Sequence, residues 1–99
     1  MKVKNLNGTS DAQKCPCSNW IEHWKNYAKI NNPVCFEASC KENATDGAHI
    51  QKYDGDMSWY IIPLCKTHNG MHRATIEILD SYGQYLVPAT ARNKCIRNV

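Results

Sequence analysis

Ninety-nine residues, six cysteines, four histidines and a formal charge of +3 describe a single small domain, one that buries only about 60–70% of the surface its unfolded chain exposes. No run approaches the roughly 20 apolar residues of a membrane span, so no membrane partner is expected. The opening MKVKNLNGTSDAQK has no apolar stretch of the kind a secretory signal needs, so a cytoplasmic, reducing location is expected, where clustered thiols favour metal over disulfide.

The positive charge is concentrated at the two ends. Lys2, Lys4 and Lys14 outweigh Asp11 at the start, Arg92, Lys94 and Arg97 stand near the finish, and the middle is net negative. Bulk electrostatics therefore gives no general footprint for nucleic acid. Small cores commonly need covalent or metal staples, and six cysteines in so short a chain point the same way.

In chain order, residues 1–14 show no hydrophobic period and read as a flexible tail. Residues 15–99 are expected to form one zinc-binding domain. From Ser18 to Ile30, Trp20, Trp24, Tyr27 and Ala28 recur at helical spacing, with Ser18 as N-cap and Lys25 and Lys29 on the wet side. The NNP at 31–33 stops that helix. GAHIQKY and MSWYIIPL around DGD read as a β-hairpin. CKTHNGMHR reads as a short helix entered at Cys65, and TIEIL and YLVP around SYGQ read as a second hairpin.

The chemistry is concentrated in cysteine and histidine pairs. Cys35-x4-Cys40, twenty-four intervening residues and then Cys65-x2-His68 make two chelating pairs separated by a hairpin-sized spacer. Each pair closes with little loop entropy, and cysteine and histidine satisfy tetrahedral zinc. On a helical turn Cys65 and His68 share one face, and Asn69 and His72 extend it. Lys66 and Arg73, seven apart on the neighbouring face, are candidate nucleic-acid contacts to phosphate.

Cys15 and Cys17 flank a proline and cannot readily pair with each other, because an extended Cys-Pro-Cys holds the thiols apart. With Cys95 and one histidine, His49, His72 or His23, they would make a second metal site, for one or two zincs in all. A disulfide from Cys15 or Cys17 to Cys95 and a reactive thiolate at a helix N-terminus are the other two roles open to them.

The order CFEASC, GAHI, WYIIPL, LCKTHN resembles the treble-clef, ββα-metal arrangement of HNH endonucleases. In that family a cysteine knuckle leads to a histidine-bearing strand, a hairpin and a helix that opens on Leu-Cys-x2-Cys-His or Leu-Cys-x2-Cys-Asn. The chain also resembles small bacterial proteins with CPC, GAH and WYI-PLC segments, a likeness that brings no activity with it. The HNH resemblance implies an α+β fold with a treble-clef core over residues 35–72 and the N-terminal helix packed on it. It puts His49 at the position of the general base that activates water toward a phosphodiester, and Asn69 at that of a catalytic metal ligand, with Mg²⁺ or Mn²⁺ as cofactor and His72 or Asp46 assisting.

Two departures separate this chain from the family. Ala48 stands where a second histidine or an acid usually precedes the base, and Ser58 and Trp59 replace the middle asparagine. The expected function is accordingly a zinc-stabilised module that binds DNA, RNA or a protein. An HNH-type endonuclease is the first alternative, and a structural or regulatory zinc protein without nucleic-acid contact is the second.

Overall fold

The computed structural model describes residues 1–6, 19–71 and 74–89. Their order is β1 (Lys2–Asn5), α1 (Trp20–Ala28), β2 (Asp46–Lys52), β3 (Tyr60–Leu64), α2 (Lys66–Asn69), β4 (Thr75–Glu77), a 3-10 helix (Asp80–Tyr85) and β5 (Val87–Pro88). The strands form one antiparallel sheet in the order β4-β1-β2-β3-β5. The fold is thus small and mixed α+β.

α1 begins one residue later than the pattern suggests. Asn19 is the N-cap, its side-chain oxygen accepting from Glu22 N–H at 2.9 Å, a contact that contributes about 1 kcal/mol. Glu22 in the first turn complements the helix dipole. The helix ends at Lys29, which takes the left-handed conformation (φ 62°), before the asparagines and Pro33 that cannot continue it. Trp20, Ile21, His23 and Trp24 are its buried face. Trp24 is fully enclosed and donates its indole N–H to Tyr85 O at 2.9 Å. Tyr27, placed by its spacing on the packed face, is instead exposed.

β2 and β3 form the expected hairpin, with Asp46 opposite Leu64 and Ile50 opposite Tyr60. The turn contains Gly55 at φ 93°, a conformation that disfavours any side chain. Because strand side chains alternate, Gly47 and His49 face one side of the sheet and Asp46, Ala48 and Ile50 the other. α1 packs on the first side, its Trp20 backbone directly over Gly47. α2 lies on the second, beside Asp46.

Two expectations are corrected. Residues 2–5, read as part of a tail, are an interior strand of the sheet: Val3 pairs with Lys52 of β2 and Ile76 of β4, and is fully buried. Residues 7–14 lie outside the described residues. TIEIL and YLVP do not form a hairpin. β4 pairs with β1, β5 pairs with β3, and SYGQ is inside the 3-10 helix. Tyr82 in that helix stacks on Phe36 at 4.2 Å between ring centroids, so the segment is held by aromatic packing across the chain and not by strand pairing with its neighbour.

Candidate metal centre

Cys35 and Cys40 are on the loop after α1. That loop is fastened by Cys35 N–H to Glu42 O (2.8 Å), Cys40 N–H to Glu37 O (3.0 Å) and Phe36 N–H to Pro63 O (2.9 Å). Cys65 is the N-cap of α2 and His68 is within its single turn. The hairpin brings the two pairs together, so that the ligand atoms of Cys35, Cys40, Cys65 and His68 all lie within 4.8 Å of one another. His68 Nδ1 is 3.2 Å from Cys65 Sγ and 3.5 Å from Cys35 Sγ.

The donor set and its size fit zinc. Tetrahedral bonds of about 2.3 Å to sulfur and 2.0–2.1 Å to nitrogen put neighbouring donors roughly 3.5–3.8 Å apart. The three thiols and one imidazole could therefore hold one metal ion such as zinc, and four protein ligands leave no open position for water.

Electrostatics at the cluster is set by burial against local donors. Burial pushes the Cys35 thiol up to about 12, although the backbone amides of Cys65 and Glu37 point at its sulfur and work in the opposite sense. Burial also raises Cys65, but the His68 amide and ring, with Cys35 and Cys40, outweigh it and bring the thiol down to about 7. Since thiolate is the ligand form, metal uptake at neutral pH must displace protons from the cluster, Cys35 above all.

Asp46, Asn69 and Lys66 meet beside the cluster. Asn69 Nδ2 donates to Asp46 Oδ2 at 3.0 Å, Lys66 Nζ is 3.3 Å from Asp46 Oδ1, and Thr45 Oγ1 donates to the same oxygen at 3.0 Å. Burial raises the Asp46 pKa, but these hydrogen bonds more than offset it and keep the carboxyl below its usual range.

His49 is elsewhere. Its ring is 2% exposed, edge-on to Trp20 at 4.6 Å and to Trp59 at 5.8 Å between centroids. Its Nδ1 is buried with no hydrogen-bond partner among the described residues. His23 is edge-on to the same Trp20 ring at 5.1 Å and donates its Nε2 proton to Pro88 O at 3.1 Å. Of the residues expected at a second metal site, His23 and His49 thus both pack on one indole, while Cys15, Cys17, Cys95 and His72 lie outside the described residues. So does Arg73.

Burial, with the charge of His23 adding to it, lowers the His49 pKa to about 4. The unfolded chain then binds the proton more tightly than the folded one. His49's contribution to stability is complete above about pH 6.5 and is lost as pH falls through 4, by up to about 3 kcal/mol. Urea denaturation of the parent and His49→Leu between pH 7 and 4 should show the parent losing stability more steeply, and parallel curves would refute the assignment.

The sequence reading overlooked Asn5, which contacts the end of α2, and Gly47, on which α1 rests. A strand of four residues carries no usable period, and Gly47, read as the first residue of a β-run, gives no local sign of the helix that rests on it. Nothing among known family models, curated proteins or solved structures matches this chain. Among the described residues, no helix is long and apolar enough to cross a membrane. The class that fold and site define is a small α+β protein with a three-cysteine, one-histidine group able to hold a metal ion.

Proposed function

We propose that this chain is a zinc-stabilised treble-clef protein of HNH-like descent, acting as an interaction module and not as a nuclease. The observation that carries the reading is the convergence of Cys35, Cys40, Cys65 and His68 from a knuckle and a one-turn helix joined through a hairpin. A fully ligated zinc has no place for substrate or water, so its role is to hold the fold.

The nuclease alternative has one observation in its favour, the contact of Asp46 with Asn69, which puts a carboxylate and a carboxamide side by side. It needs His49 next to them as base. Asp46 and His49 are three residues apart on one strand and face opposite sides of the sheet, and the His49 ring is enclosed by tryptophans. A buried base on the far face cannot activate water at Asp46 and Asn69.

Along the described residues lysines and carboxylates nearly balance, while Lys14, Arg73, Arg92, Lys94 and Arg97 all lie outside them. This balance favours a protein partner over nucleic acid for the folded body. Plasmid incubated with the zinc-loaded protein and Mg²⁺ or Mn²⁺ should remain supercoiled, with His49→Ala indistinguishable from the parent. Nicking that His49→Ala abolishes would restore the nuclease reading. Mixed-sequence DNA at low salt should show no saturable binding, and salt-sensitive binding would reassign the module to nucleic acid.

A further inference from the structure

We propose that Asn5 is a positioning residue of the metal centre, and that β1 thereby sets the geometry of a ligand more than sixty residues away in the chain. The inference rests on the reading of the cysteine and histidine cluster as a zinc site. It concerns how His68 is held there.

α2 is one turn long. A helix this short has little stability of its own, and its last carbonyls have no partners within the helix. Gly70 and Met71 close the turn with N–H donations to Lys66 O at 2.9 Å and His68 O at 3.2 Å. The remaining capacity is met from β1. Asn5 Nδ2 lies 3.3 Å from His68 O, 3.1 Å from Asn69 O and 3.1 Å from Met71 O. Three carbonyls around one side-chain nitrogen fix the amide's orientation, because the oxygen in that place could accept nothing from them.

Asn5 is itself immobilised. It is fully buried, stands opposite Ile50 in the β1–β2 register, and donates its backbone N–H to Ala74 O at 2.9 Å. A side chain fixed in an interior strand of the sheet therefore holds the carbonyl of His68, whose ring brings Nδ1 to the metal cluster. Partners that orient a metal ligand are commonly worth 10–100-fold in metal affinity. No other side chain is placed to donate to all three carbonyls among the described residues.

The test uses the full chain loaded with Co²⁺, whose visible d–d bands report ligand identity and geometry, with metal affinity from competition against a chromophoric chelator. Asn5→Ala should bind Co²⁺ 10–100-fold more weakly and show an altered d–d envelope at saturation. Asn5→Ser, which keeps one donor, should fall between it and the parent. Val3→Ala, a core truncation on the same strand whose side chain donates no hydrogen bond, should keep the parental envelope even where it lowers the thermal midpoint.

The proposal is overturned if Asn5→Ala retains parental affinity and envelope, or if Val3→Ala alters the envelope equally. Should Asn5→Ala fail to fold with Co²⁺ present, Asn5→Ser decides by the same two readouts. A parent chain that takes up no Co²⁺ would instead refute the zinc reading itself, a separate result seen before any variant is made.

Discussion

Treatment with a strong chelator is expected to unfold this protein cooperatively, and Cys65→Ser is expected to do the same without a chelator. Cys35 and Cys65 are buried, and the loop bearing Cys35 and Cys40 belongs to no helix or named strand, being held by the isolated bridges Val34 to Asn43 and Glu37 to Ile78 and a few backbone hydrogen bonds. Without metal, three thiols and an imidazole are left crowded together with no strong attraction among them. Structural zinc supplies on the order of 10 kcal/mol of apparent binding free energy, against a total stability of about 5–15 kcal/mol for an ordinary domain.

That comparison decides the outcome, because removing a contribution as large as the whole leaves no folded state to populate. Loss of near-ultraviolet dichroism and a collapse of the thermal midpoint on chelation, reversed by added zinc, would be the signature. A metal-free chain with an unchanged midpoint in the presence of chelator would contradict both the site and the function argued from it.

The second large effect is expected from the smallest substitution, Gly47→Ala. A Cβ at this position would lie 2.4 Å from Trp20 C, 2.5 Å from Ile21 N and 2.6 Å from Trp20 O. All three are backbone atoms, so no rotamer change relieves the collision. Carbon contacts normally settle at about 3.5–4.0 Å, so the start of α1 would have to lift by roughly 1 Å. That movement opens the packing of Trp20 on His49 and threatens the enclosed Trp24.

Glycine to alanine in an open strand position would stabilise by reducing the freedom of the unfolded chain, by about 0.4–1 kcal/mol. Here the overpacking cost, about 3 kcal/mol, exceeds that gain. The thermal midpoint should fall by roughly 10–20 °C. A midpoint equal to or above the parent's would show that α1 does not rest on β2 at this point.

What could be read without coordinates was whatever depends on neighbours in the chain. The helix from Trp20 onward follows from a local 3.6-residue pattern and a proline stop, although its cap is Asn19 and not the expected Ser18. The β2–β3 hairpin follows from two β-rich runs around a turn. The grouping of Cys35, Cys40, Cys65 and His68 follows from two short chelating pairs, each within a few residues, whose shared demand for one metal carries the information across the intervening hairpin. The resemblance to HNH proteins pointed to His49 as a base, but said nothing of the tryptophans that enclose it.

The mixed α+β composition, the first helix, one hairpin and the four residues that could grip a metal were thus legible locally, since each is encoded by period, turn chemistry or chelate spacing over a short span. It took the folded chain to place residues 2–5 between two other strands, to bring Asn5 to the end of α2, to seat α1 on Gly47 and to turn His49 and Asp46 opposite ways. A four-residue strand has no stability and no pattern of its own. Its place is chosen by edges and carbonyls that arrive from distant parts of the chain, and those exist only once the rest has folded around it.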